Sequence, residues 1–259
     1  MCGLLVCVAV TITAAAAAAA ESERIQPDRP NVSASTYTVV PSAVQIEAGA
    51  QYSRTSIGGS SADRQFFLDV LLRAGLTERM EFRLQGEPLV VMRGEQDDIG
   101  NGDIAVGAKY RFFDAREGHW WPSLAVLPFV RFPIAHEPHG TNLPDFALIG
   151  LASFILPWGL GLDVNAGAGG LGQRPGGYLV QGVAAASLSR DIAERWSTYV
   201  EVFFASAAQR GAQASVGFDA GVQFFLTQSL ALDAAVETSL VGPGPDYAFR
   251  AGLSVRFGR

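Results

Sequence analysis

From residue 43 to the C-terminus, apolar and polar side chains alternate with a period of two. In residues 43–54, Val44, Ile46, Ala48, Ala50 and Tyr52 share one parity while Gln45, Glu47, Gly49, Gln51 and Ser53 share the other. That is the pattern of a strand lying between an apolar and a polar medium. The rhythm recurs in residues 64–76 and 80–84, and it is clearest in 103–112, where Ile104, Val106, Ala108, Tyr110 and Phe112 oppose Asp103, Gly107, Lys109 and Arg111. Further segments are predicted at 122–132, 146–156, 160–168, 178–188, 196–206, 214–226, 230–240 and 247–257. The spacing of about 18 residues is long for a soluble sandwich, whose turns come every 8–12 residues or so. About twelve strands result, an even number, as in single-chain bacterial outer-membrane barrels.

The connections alternate too. Residues 54–63, 86–102, 134–144 and 169–177 are long, whereas 77–78, 157–159 and 227–228 are tight and 114–118 and 191–195 intermediate. Aromatic residues gather near both sets: Tyr110, Phe112, Trp121, Trp158, Trp196 and Phe257 beside the short turns, Tyr52, Phe66, Phe132, Phe146, Tyr178 and Phe249 beside the long loops. Two girdles with aliphatic residues between them suit the two interfaces of a bilayer. The expected fold is therefore all-β, a transmembrane antiparallel up-and-down barrel of about 12 strands, with short turns in the periplasm and long loops outside the cell.

The start of the chain differs. Residues 4–20 carry no charge, and Ala18-Ala19-Ala20 precedes Glu21, so residues 1–20 read as a secretory signal peptide. Residues 21–42, rich in Pro, Ser and Thr, are predicted to run as an extended periplasmic leader, and residues 43–259 to form the barrel. Past the signal, no apolar run approaches the length of a spanning helix. The expected location is the outer membrane of a Gram-negative bacterium, with outer-membrane lipid and the barrel-insertion machinery as partners.

Composition narrows the function. The chain has 259 residues, 49% of them hydrophobic and 17% charged, which argues against disorder. A net charge of -6 without a basic cluster excludes nucleic acid as a partner. The only cysteines, Cys2 and Cys7, fall within the signal, so no disulfide framework is expected.

If the apolar face meets lipid, the polar face lines a lumen. It collects Glu47, Arg73, Arg83, Asp103, Lys109, Arg111, Arg131, Asp163, Glu201, Asp219, Glu237, Arg250 and Arg256, the candidates for a solute path. Charges of both signs can select solutes, as rings of charge do in pores. They can equally bridge one another and brace the barrel. Around twelve strands, a lumen lies between one filled by side chains and one open to water.

Covalent chemistry finds little support. The three histidines, His119, His136 and His139, fall in or beside connections, leaving no base for a strand-borne serine. His136 and His139 with Glu137 or Asp145, and Asp97-Asp98 with Asp103, are weak metal patterns in loops. Gly167, Gly169, Gly170 and Gly172 precede no helix and form no phosphate loop. No enzyme activity, cofactor or metal is expected.

The chain resembles the outer-membrane barrel proteins labelled for the MetA (meta-cleavage) pathway of phenol degradation. The resemblance rests on Asp28-Arg29-Pro30-Asn31, Thr38-Val39-Val40-Pro41, Gln45-Ile46-Glu47-Ala48-Gly49, Gly102-Asp103 and Gly107-Ala108-Lys109-Tyr110-Arg111-Phe112. Glu201, Asp219-Ala220-Gly221 and Ala251-Gly252-Leu253-Ser254-Val255-Arg256-Phe257 continue it toward the C-terminus. It implies an outer-membrane barrel that acts as a channel or transporter for passive passage of small-molecule solutes, apolar or aromatic compounds among them. The alternative is a plugged structural or surface-binding barrel whose outer loops carry the function.

Overall fold

A computed structural model describes residues 24–58, 61–95, 97–115, 120–140, 142–174 and 176–258. The predicted signal peptide, both cysteines and His119 lie outside the described residues. Twelve long strands follow in order: β1 (Val44–Gly58), β2 (Ser61–Thr77) and β3 (Met80–Arg93); then, after the short β4 (Asp98–Gly100), β5 (Ile104–Phe113), β6 (Ser123–Phe132) and β7 (Asp145–Leu156); then β8 (Leu160–Gly172), β9 (Tyr178–Ala193), β10 (Trp196–Ala205), β11 (Ser215–Thr227), β12 (Leu230–Val241) and β13 (Tyr247–Phe257). Each pairs antiparallel with its neighbours, and β1 pairs with β13 from Val44 opposite Phe257 to Arg54 opposite Tyr247, closing the sheet. The three-residue β4 adds to β3 beyond the barrel wall. Closure leaves no sheet edge in the wall, so backbone donors and acceptors are met without water.

Burial follows the alternation, inverted relative to a soluble protein. Arg73, Lys109, Glu47, Glu81 and Asp219 are fully buried inside, while Leu148, Val180, Val236 and Phe249 stand at least half exposed on the outside. An outward apolar band around a charged interior is the arrangement lipid demands. Tyr110, Trp158 and Trp196 are exposed at the end carrying the tight turns, and Phe132, Phe146 and Tyr178 at the opposite, loop end. Neighbouring girdle rings touch, Trp196 with Phe224 at 4.6 Å and Phe146 with Tyr178 at 5.4 Å between centroids.

Several strands exceed the predicted bounds. The β3 strand continues past Leu84 to Arg93 through Gly86 and Pro88, because the pairing with β2 shifts between Leu68 and Val70, and this bulge takes up Glu87 and Pro88. A bulge tolerates a proline because its extra residue makes no ladder bond. The first outer connection is correspondingly short, with β1 and β2 extending as one long hairpin to Gly58 and Ser61. A second proline, Pro128, sits inside β6, and the β5–β6 ladder lacks pairs between Gly107–Phe129 and Tyr110–Val126, where its missing N–H would have bonded.

Residues 24–42 depart furthest from expectation. They do not extend away from the barrel as a leader but fold into it, and Ile25, Asp28, Arg29, Ser33, Thr36, Thr38 and Val39 are buried there. The polar composition that suggested a solvated tail instead matches a polar lumen.

Candidate functional site: the plugged lumen

The inner segment begins at the turn end. Ile25 packs on Phe225 and Ala231, its N–H donates to the Gln228 carbonyl at 2.8 Å, and the Arg24 guanidinium lies over the Phe225 ring. The chain then reaches mid-lumen at Asp28–Ala34, turns, and returns to the turn end, where the Thr38 hydroxyl donates to the Glu78 carbonyl and Ser42 N–H to the Gly75 carbonyl. Gly75 permits this return, since a β-carbon there would stand 2.0 Å from the Val40 carbonyl oxygen. The segment has no regular secondary structure, so its backbone groups need other partners.

The wall supplies them. Glu47 accepts from Asp28 and Arg29 N–H, at 3.0 and 2.9 Å, and Glu201 accepts from Val32 and Ser33 N–H, at 2.7 and 2.8 Å. Asn165 both accepts from Ala34 N–H and donates to its carbonyl, each at 2.8 Å. Glu81 accepts from Val39 N–H, Ser153 from Thr36 N–H, while Arg250 donates to the Pro30 carbonyl and Gln223 to the Arg29 carbonyl. Hydrogen bonds to charged groups are worth more than neutral ones, so the plug is firmly held.

Most charges inside the barrel are paired. Arg73 bridges Glu47 and Glu81, at 2.9 Å each, and donates to the carbonyls of Gln26 and Tyr37. Arg83 and Lys109 contact Asp28 and Glu81, so three cations meet three carboxylates. Burial alone would raise the Asp28 carboxyl, but Arg73, Lys109 and Arg83 together hold it well below the ordinary carboxylate range. Arg29 joins Asp69 to Asp233, and Arg250 joins Asp219 to Glu237.

The predicted solute-path residues thus separate by place. Glu47, Arg73, Arg83 and Lys109 form the ion cluster beneath the plug's turn, Glu201 anchors its backbone, and Asp219, Glu237 and Arg250 form a second group. Asp163 accepts from Ser153, and Arg256 is buried opposite Gln45 on β1. Asp103 receives the Ala135 N–H of an outer loop, and Arg131 is half exposed near Asp145, which places both at the loop-end mouth. Arg111, bonded to the Glu78 carbonyl and to Asp114, sits at the turn-end rim and not in the passage.

Above the plug lies a cavity of about 520 Å³, with Asp28 to Ala34 in its lining. Its sides include Phe67, Leu71, Leu127, Phe129, Ile149 and Phe203, apolar residues on the lumen parity of their strands. A smaller cavity of about 200 Å³ lies on the turn side, lined by Asp163, Ser189, Asp191, Ser197, Thr198 and the plug. Neither the apolar patch nor the plug was among the predicted site residues. The signal for the first was the run of apolar residues that breaks polar parity.

Loop chemistry is modest. His139 Nε2 lies 2.7 Å from Asp98, joining one member of each weak metal pattern, while Glu137 pairs with Arg174. Among the described residues no group of three His, Cys, Asp or Glu side chains could hold a metal ion.

Several solved structures share the fold. The COG4313 outer membrane channel from Pseudomonas putida F1 matches with a TM-score of 0.70 at 15% identity, covering 88% of this chain and 100% of that one. The NanC porin matches at 0.55 and 11% identity over 82% and 98%, and the β domain of the Bordetella autotransporter BrkA at 0.52 and 15% identity over 82% and 98%. No curated protein matches the sequence. Barrels of this construction belong to the bacterial outer membrane, as the girdles and the apolar band require. The match that covers the plug and nearly the whole wall, residues 27–257, is to a sequence family, and the chain belongs to it: the family described as "Putative MetA-pathway of phenol degradation".

Proposed function

We propose that this barrel is a channel for the passive passage of small solutes, with apolar or aromatic compounds favoured over ions. The observation that carries the reading is the 520 Å³ cavity above the plug, with its partly apolar wall and polar floor. That volume falls within the roughly 300–1,000 Å³ of small-molecule sites, and its lining is mixed, with Phe67, Leu127, Phe129 and Phe203 beside charged wall residues such as Asp69, Glu87 and Arg131. The channel and porin among its structural neighbours support the reading, as does a family description that names phenol degradation. No covalent step, cofactor or metal enters the proposal.

The test is uptake of a small aromatic alcohol into vesicles carrying the refolded barrel, with single-channel recording in a planar bilayer alongside. Folding is verified by a change of electrophoretic mobility on boiling. Solute uptake with small conductance steps is expected. A folded barrel that gives neither uptake nor steps overturns the channel reading. In that case the plug and the paired charges favour the second reading, a closed barrel whose outer loops carry the function.

A further inference from the structure

The two cavities are parted by the plug alone, since Asp28, Asn31 and Ser33 line both. The loop-end cavity reaches Ala185 on β9 and Phe203 on β10, whereas the turn-end cavity begins at Ser189 and Tyr199. Between these levels lie Ser187 and Glu201, directly opposite each other across the β9–β10 pair. The septum is therefore the plug at Asp28 and at residues 31–33, and it is residues 31–33 that press against this belt.

Its two ties to the belt differ in kind. Glu201 holds backbone, the N–H groups of Val32 and Ser33, so that tie breaks only if the plug itself moves. The other is a single neutral bond between side chains, Asn31 Nδ2 donating to Ser187 Oγ at 2.7 Å. A neutral bond is the weaker sort, and rotation of one side chain releases it while the backbone stays in place. The β9 wall beside it is built from small side chains, Ala185, Ser187 and Ser189. Across the lumen, by contrast, the Asp28 side of the septum is held by the fully buried ion cluster of Arg73, Lys109, Glu47 and Glu81.

We infer that solute passes the plug between Asn31 and Ser187, and that this pair is the gate and selectivity element of the channel. The inference rests on the channel reading above and deepens it. A solute leaving the loop-end cavity must replace the Asn31–Ser187 bond. A hydroxyl or a carbonyl can do so, which favours uncharged molecules with an apolar body and one hydrogen-bonding group.

The experiment uses a chain with Cys2 and Cys7, its only cysteines, changed to serine, so that Ser187→Cys introduces a single thiol. Asn31→Ala is expected to enlarge the conductance step. A charged methanethiosulfonate reagent on the Ser187→Cys chain is expected to abolish the step, and reductant to restore it. A label that attaches without changing the step, or a thiol left unmodified in a conducting barrel, overturns the gate while the channel reading stands. If the native barrel takes up solute without resolvable steps and Asn31→Ala conducts, the pair is the gate, as proposed. If both chains fold yet give neither uptake nor steps, the gate and the channel reading fall together.

Discussion

The guanidinium of Arg29 occupies the space a side chain on Gly49 would need: a β-carbon there would stand 2.0 Å from its Nη2. Gly252, paired with Gly49 across β1 and β13, would crowd the same group at 2.6 Å. The two glycines form a flat seat on which Arg29 reaches both Asp69 and Asp233. Gly49→Ala should therefore unseat Arg29 and strand two carboxylates, at a cost of about 3–5 kcal/mol, as when one partner of a buried pair is lost. Gly150→Ala is the control, since a β-carbon there meets only ordinary contact at 3.5 Å. Urea titration of the heat-sensitive gel shift measures both, and the Gly49 variant should also conduct more.

Arg73 is the keystone of the ion cluster, fully buried and bonded to two carboxylates and two plug carbonyls. Arg73→Met keeps the volume but leaves Glu47 without a cation among the described residues. A loss of about 3–5 kcal/mol is expected. A loss below about 1 kcal/mol, the worth of an exposed pair, would mean that water already reaches the cluster.

The barrel was legible in the sequence because lipid and lumen impose opposite polarity on alternate residues, and Ile104 to Phe112 shows it with only Ala105 apolar on the lumen side. In the sequence Gly86 and Pro88 signal a turn and end β3 early, and only pairing with β2 reveals the bulge that absorbs Glu87 and Pro88. The plug was hidden for a deeper reason. Its partners are backbone N–H and C=O groups, which every sequence has, so nothing periodic marks Asp28 to Val39 as buried. The trace it leaves is on the wall, where Glu47, Glu81, Glu201 and Asn165 offer acceptors to the lumen. The cavity left a trace as well, in Phe67, Phe129 and Phe203 at positions where alternation calls for polar residues.

Acidity should loosen the plug. The Asp28 carboxyl, on the inner segment and not in a strand, is held below its ordinary value of 3.8 by Arg73, Lys109 and Arg83, despite burial that opposes this. A depressed folded-state pKa contributes stability that is fully present above the ordinary value and is lost as pH falls below it. Plug protection from protease, and low conductance, should thus persist at neutral pH and give way below about pH 4. Asp28→Asn should weaken protection already at neutral pH and flatten the acid response. The other carboxylates are common to both chains, so the difference between the two profiles isolates Asp28. Profiles that coincide would remove Asp28 from the control of the plug.

The two faces of the wall should differ in what they accept. Val236 on β12 is half exposed on the lipid side, opposite Phe249 on β13 and Ala220 on β11. An arginine there faces hydrocarbon, at a cost of about 2–4 kcal/mol near the midplane. Ala185 on β9 faces inward and lines the 520 Å³ cavity, where a guanidinium finds water and the polar floor. Ala185→Arg should cost far less than Val236→Arg in urea titrations from lipid vesicles, yet narrow the cavity and slow aromatic uptake, which Val236→Arg leaves unchanged in the fraction that folds. Stability and transport would then respond to opposite faces of one wall. Equal penalties would overturn the facing assignment, and equal uptake would detach the cavity from the solute path.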